Sequence, residues 1–327
     1  MDLTTKFMGF TLKNPVIAGS SGLTSNLADI LELEKCGAAA IVLRSLFEEQ
    51  IIFNYTSKLK EVDLRVHYPE AHEYISSHTK QKAVDEYIEL IVNCKKNLSI
   101  PVIASINCVT PYEWTSFATE IEKAGADGLE LNMFFIPNDP QQVSAAIEET
   151  YLEILHEVIR KVSIPVSIKV SPYFSGLSNS LLRFSFTGVK GMVLFNRFFS
   201  SDIDIEERKV ITGPLFSNPD EIYLPLRWIA MLSDRIYCDL AASSGVHDGQ
   251  GLVKVLLAGA KAAEIASALY IKGPKEIGVM LKYLEEYLER HNFSSVSEII
   301  GKMSMRQVEN PADFERVRFL KYYSGIE

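Results

Sequence analysis

The sequence predicts an α/β fold, a (β/α)8 TIM barrel in a single domain spanning residues 1–327, and three observations predict it. Eight short apolar runs rich in Val and Ile recur along the chain. Most do not alternate strictly, as expected of strands buried on both faces of a parallel sheet. Eight amphipathic stretches of helical period follow them in alternation. The strands also begin in two ways. Several follow a glycine turn ending a helix, at Cys36-Gly37-Ala38, Ala124-Gly125-Ala126, Ala258-Gly259-Ala260 and, more loosely, Thr187-Gly188-Val189. Odd-numbered strands open instead at Asn14-Pro15-Val16, Ile100-Pro101-Val102 and Ile164-Pro165-Val166. Glycine supplies a left-handed helix end, and proline starts a strand where no ladder donor is needed. A doubled βαβα unit repeated round a ring favours a closed barrel over an open doubly wound sheet.

Strands are expected at 15–18, 40–44, 102–106, 128–132, 166–170, 191–195, 235–240 and 263–267. Helices are expected at 27–35, 83–97, 114–124, 143–162, 180–186, 220–232, 251–258 and 275–290. The one long interruption, 46–82, is polar and aromatic, carries His67, His72 and His78, and is too long for a plain connection. On the catalytic face of a barrel it reads as a lid. The tail after Asn292 is expected to pack outside the barrel.

Composition narrows the function. The 33 basic and 42 acidic side chains give a net charge of −9, with no basic run, which argues against a nucleic-acid or anionic-membrane partner. A hydrophobic fraction of 47% excludes a disordered chain. The opening Met1-Asp2-Leu3-Thr4-Thr5-Lys6 lacks a signal-peptide layout, and no apolar run is long enough to span a bilayer. Cys36, Cys94, Cys108 and Cys238 stand far apart and read as reduced thiols. A cytoplasmic protein is therefore expected. Without His-x-His or His-Glu-x-x-His, no metal site is expected.

Reacting groups of such barrels sit at the C-terminal ends of the strands. Those ends read Gly19-Ser20-Ser21-Gly22, Arg44-Ser45, Asn107-Cys108, Glu130-Leu131-Asn132, Lys169-Val170-Ser171-Pro172, Phe195-Asn196-Arg197, Ala242-Ser243-Ser244-Gly245-Val246 and Ser267-Ala268-Leu269. They are rich in amides and cations and contain one carboxylate, Glu130, so paired-carboxylate glycoside chemistry is poorly supported. Small residues after the seventh and eighth strands suit a phosphate, although they also suit close packing. Lys169 closes an apolar strand and must meet an anion. It could form a Schiff base, in a lyase of a phosphorylated substrate, or face a flavin, or make a structural ion pair with Glu130.

Asn14-Pro15-Val16, residues 39–45, Ser105-Ile106, Glu130-Leu131-Asn132, residues 168–172, Asn196 and residues 256–269 resemble the dihydroorotate dehydrogenase family, in order along nearly the whole chain. The strongest segments are 125–132 and 256–270. The resemblance implies an FMN-containing barrel that oxidises dihydroorotate to orotate in pyrimidine biosynthesis, acting on a small molecule as a homodimer. It sets Ala18, Ser20 and Gly22 against the flavin ring and Lys169 at its pyrimidine edge. Asn132 and Asn196 would bond flavin or substrate, and Ser244, Gly245, Ser267 and Ala268 would hold the phosphate. Arg44, standing where the family has lysine, and Ser45 complete the cofactor set.

The substrate half departs from the family pattern. The resemblance implies Asn-x-Ser-Cys-Pro-Asn, or Ser for its Cys, with that Cys or Ser removing a proton. Here the chain reads Asn132-Met133-Phe134-Phe135-Ile136-Pro137-Asn138, one residue longer, and neither Phe135 nor Ile136 accepts a proton. The family's Asn-x-x-Gly-x-x-Asn substrate loop is also absent from 46–82. Cys108 is the first candidate replacement base, with Asp139, His67, His72 and His78 behind it. The catalytic set expected is thus Lys169, Asn132 and Cys108, in an FMN-dependent dehydrogenase or in an FMN-binding protein without turnover.

Overall fold

The computed structural model describes residues 1–47, 69–108, 111–135, 138–197 and 200–315, with the side chains of 69–81 and 111–113 excepted. Its strands are β1 (Thr5–Phe7), β2 (Phe10–Leu12), β3 (Val16–Ala18), β4 (Ala40–Val42), β5 (Leu46–Phe47), β6 (Val102–Asn107), β7 (Gly128–Asn132), β8 (Val166–Val170), β9 (Gly191–Leu194), β10 (Ser201–Asp204), β11 (Lys209–Thr212), β12 (Asp239–Ser243) and β13 (Ala262–Ile265). Eight of them, β3, β4, β6, β7, β8, β9, β12 and β13, pair in parallel in that order. The β13–β3 pairing closes the ring. This is the (β/α)8 barrel that the alternation predicts. Its strands are buried throughout, apart from the partly exposed Asp239 at the start of β12.

The helices pack outside. Leu27–Lys35, Ser144–Lys161, Tyr223–Leu232, Gly249–Ala258 and Glu276–Arg290 fall close to their expected bounds. Gly37, Gly125, Gly188 and Gly259 all adopt the positive φ that a glycine helix end requires. Gly259 also has no room for a Cβ, which would lie 2.4 Å from that of Ser233.

The structure corrects the sequence reading in two places. The helix expected at 83 begins at Pro69, so 69–82 of the expected lid is helical backbone; 48–68, including His67, lies outside the described residues. The seventh strand is Asp239–Ser243, not 235–240. Its interior positions are Ala and Ser, small enough for a crowded barrel but without the apolar signal that marks the other strands.

A β1–β2 hairpin, turned by Met8 and Gly9 at positive φ, plugs the bottom of the barrel. Phe7, Met8 and Leu12 pack with Ile17, Val42, Ile103 and Val193, and the Met8 N–H donates to Asp239 at 3.1 Å. Gly191 makes room for the plug, since a Cβ there would lie 2.7 Å from Met8 Cγ. A second hairpin, β10–β11, stands almost fully exposed after β9. No helix among the described residues is long and apolar enough to cross a membrane.

Candidate active site

The C-terminal ends of β3, β8, β9, β12 and β13 surround a cavity of about 340 Å3. Small and hydroxylated residues form much of its wall: Gly19, Ser20, Ser21 and Gly22 after β3, Ser243, Ser244 and Gly245 at β12, and Ala266 and Ser267 after β13. Lys169, Glu264, Asn196 and Arg197 supply the charged and amide groups. Such a space lies within the range of small-molecule sites.

Lys169 is 7% exposed, and its Nζ donates to Glu264 Oε2 at 2.8 Å, with Glu130 Oε1 at 3.9 Å. Burial pulls the ammonium toward neutrality, but the two facing carboxyl groups outweigh burial and hold it above its ordinary value. Lys169 is a fixed cation. A Schiff-base nucleophile requires the opposite shift, toward a free amine at neutral pH, so this geometry opposes the lyase alternative. Burial, reinforced by the charge of Glu264, pushes Glu130 well above the usual carboxylate range despite Lys169. The sequence offers Glu130 as one possible partner of the lysine, and Glu264 is the nearer one. A carboxylate within the otherwise apolar run Ala262-Ala263-Glu264-Ile265 is itself a sequence signal, because buried acids need a cation.

Ser244 and Gly245 are consecutive left-handed residues, at φ +74° and +76°, and form a backbone turn of the kind that cradles anions. A Cβ on Gly245 would lie 2.0 Å from the Ile222 nitrogen, so only glycine fits. Ser267 Oγ accepts from the Ser217 N–H at 3.0 Å, and Ser217 Oγ pairs with His247 Nε2 at 2.8 Å. Burial, assisted by nearby Lys272, lowers His247, which keeps its ring neutral at pH 7. Arg197 holds the same loop down, donating to Glu221 at 2.8 Å and to the carbonyls of Leu215 and Pro214. Sequence reading missed Ser217 and His247, which lie on connections and carry no periodic signal, and Glu221, which stands in the short 3-10 helix Pro219–Ile222.

A chain of hydrogen bonds crosses the barrel mouth from this cavity. Ser20 Oγ accepts from the Ser45 N–H at 2.9 Å and meets Ser45 Oγ at 3.1 Å. Ser45 Oγ meets Ser105 Oγ at 2.7 Å and accepts from Asn132 Nδ2 at 3.2 Å. Asn196 Nδ2 donates to Asn132 Oδ1. Buried Tyr87 braces the chain, receiving the Ser105 N–H and donating to its carbonyl.

Ser20, Gly22, Lys169, Asn196, Ser244, Gly245 and Ser267 therefore line one cavity. Ser45 and Asn132 stand behind it through hydrogen bonds. Ala18 and Ala268 are buried in the core instead of lining the cavity, because their methyl groups pack with it. Arg44 is exposed and outside the lining. Cys108 is 2% exposed within the core cluster, also outside the lining. Asp139 is an exposed turn residue accepting from the Gln141 N–H at 2.9 Å. The side chains of His72 and His78, and Ile136, lie outside the described residues. Phe135 packs edge-on against Tyr151, with ring centres 5.1 Å apart, as part of an aromatic cluster with Phe174 and Phe184.

Comparison with known proteins agrees with this architecture. A family model described as "Dihydroorotate dehydrogenase" matches residues 2–288. The catalytic subunit of dihydroorotate dehydrogenase B (NAD(+)) from Geobacter sp. (strain M21) is 25% identical over 313 residues, covering 93% of this chain and 99% of that protein. The protein of the same name from Pyrococcus furiosus is 27% identical over 314 residues, covering 92% and 98%. That from Thermoplasma volcanium is 24% identical over 320 residues, covering 92% and 98%.

Proposed function

Because this chain belongs to the dihydroorotate dehydrogenase family, we propose that it is an oxidoreductase that binds FMN in the cavity above Lys169. Its donor is dihydroorotate or a related CH–CH compound, and turnover of dihydroorotate itself is low. The observation that carries this reading is a single cavity lined both by a fixed cation and by an anion-cradling turn that admits only glycine at position 245.

The lining suits the group. Ser244, Gly245 and Ser267 would hold its phosphate, Ser20 and Gly22 would border its ring, and the Lys169 ammonium, paired with Glu264, would lie beneath it. Bound FMN would supply a two-electron acceptor. Asn196 orients Asn132, and Ser45 fixes the other end of that amide. Together these three residues would hold a polar donor at the mouth.

Proton removal is the weak step. General-base help is worth roughly 10²–10⁴-fold, and neither Phe135 nor Ile136 can give it. Cys108, sequestered in the core, is a poor substitute. The test is the visible absorption spectrum of the purified protein. A yellow protein releasing one FMN per chain supports the reading, and a colourless one that takes up no added FMN overturns it. The homodimer implied by the family is supported by Ile203, Ile205 and Val210 of the exposed hairpin region, which lack cover in the single chain.

A further inference from the structure

We propose that Glu130 and Glu264 share one proton beneath the cavity, so that Glu264 cancels the charge of Lys169. Glu264 is then a positioning residue that keeps the reduction potential of FMN bound there low. This inference rests on the FMN reading above.

Three barrel strands bring the groups together. Lys169 comes from β8, Glu130 from β7 and Glu264 from β13, and all three are more than nine-tenths buried. The lysine makes one short contact, to Glu264 Oε2 at 2.8 Å, and one long one, to Glu130 Oε1 at 3.9 Å. Both Glu130 oxygens, Glu264 Oε1 and Ser167 Oγ are buried without a hydrogen-bond partner. Ser167 is the residue opposite Glu130 in the β7–β8 ladder, so these four atoms belong to one region of the barrel.

Two ionised carboxylates and one ammonium would leave a net negative charge in the barrel interior, with three acceptor atoms facing no donor. A single proton on Glu130 removes the excess charge and supplies the missing donor to Glu264. The trio then comprises one ammonium, one carboxylate and one neutral acid, with no net charge. Besides Lys169 and Glu264, the charge of Glu130 reaches buried Tyr87, whose hydroxyl is engaged with the Ser105 backbone and stays neutral because burial pushes it up.

The consequence falls on the cavity. A ring that gains electrons gains negative charge, and a free ammonium beneath it would favour that state. Lys169 is instead already compensated by Glu264, so the ring receives little of this help.

The experiment is a reductive dye-equilibrium titration of the FMN-loaded protein and three variants. Glu130→Gln replaces a neutral acid by a neutral amide and is expected to leave the potential in place. Glu264→Gln permits Glu130 to ionise in its stead and is expected to give a small rise. The double variant strips both acids and is expected to raise the potential by at least about 30 mV, the tenfold equivalent of a two-electron couple. An unchanged double variant, or a Glu130→Gln shift as large as the double, overturns the proposal.

Infrared difference spectroscopy covers the case in which the double variant fails to fold. A protonated-carboxyl band at neutral pH that vanishes in Glu130→Gln supports the shared proton, and its absence from the parent protein overturns it. Protein that takes up no FMN defeats the reading of the cavity, while the carboxyl band still decides the proton.

Discussion

Around the ends of β8, β9, β12 and β13, the main groups that face the cavity are backed by others. Lys169 is held by Glu264, Ser267 by Ser217, Ser217 by His247 and Arg197 by Glu221. Across the mouth, at the ends of β4, β6 and β7, the groups that could do chemistry are turned elsewhere. Arg44 faces solvent, Cys108 is sealed in the core, and Phe135 leans outward onto Tyr151. The Ser20–Ser45–Asn132–Asn196 chain is what joins the two sides. The contrast teaches that cofactor binding and proton removal are separate structural problems in this fold. On the function proposed above, one is kept tightly specified while the other lacks a suited residue.

The comparison can be broken most forcefully at the turn after β12. Gly245→Val forces a side chain into the Ile222 backbone and into a left-handed conformation, and should weaken FMN binding by about 1000-fold. Quenching of FMN fluorescence on titration measures this. A fall of less than tenfold would mean that the turn is not the phosphate seat.

Next comes the cation. Lys169→Ala leaves Glu264 buried without its partner and should cost about 3 kcal/mol in urea unfolding. Adding Glu264→Gln to that variant should restore much of the loss. On the other side of the mouth, Phe135→Ala should cost about 2 kcal/mol through lost packing on Tyr151, yet leave FMN affinity within about twofold. A large loss of affinity there would erase the distinction between the two sides.

The smallest effect is a slope. Glu130 titrates higher in the folded chain than in the unfolded one. The stability this contributes is fully present below the unfolded value and is lost as pH rises toward the folded value. Between about pH 5 and pH 7, the parent protein should therefore lose stability relative to Glu130→Gln, by up to about 1.4 kcal/mol per pH unit. Comparing the two removes the opposing contribution of His247, whose folded value is lowered. Parallel profiles would show Glu130 to be ionised.

Much of this architecture was legible where side-chain chemistry repeats. Val102–Asn107 and Gly191–Leu194 read as strands because buried parallel strands are near-continuous apolar runs, and the glycine turns mark the helix ends. The seventh strand was misplaced because Ala241, Ala242 and Ser243 fill a tight interior by being small, which leaves little hydrophobic signal. The N-terminal plug was missed because three-residue strands give periodicity too little length, although Met8-Gly9 marked its turn.

At the site, Lys169 and the Ser244-Gly245 turn were readable from their positions at strand ends. The Ser217–His247 support was not, since it joins two connections 30 residues apart whose meeting only the closed barrel creates. Glu264 fell between these cases, an acid in an apolar strand whose partner lies 95 residues earlier.

Under the function proposed above, a seat for FMN stands beside a mouth that lacks a proton acceptor. Anaerobic mixing of the FMN-loaded protein with dihydroorotate tests this directly, with flavin bleaching followed in time. The account predicts bleaching that is absent or takes many minutes, although dithionite reduces the same sample at once. Complete bleaching by dihydroorotate within seconds would contradict it.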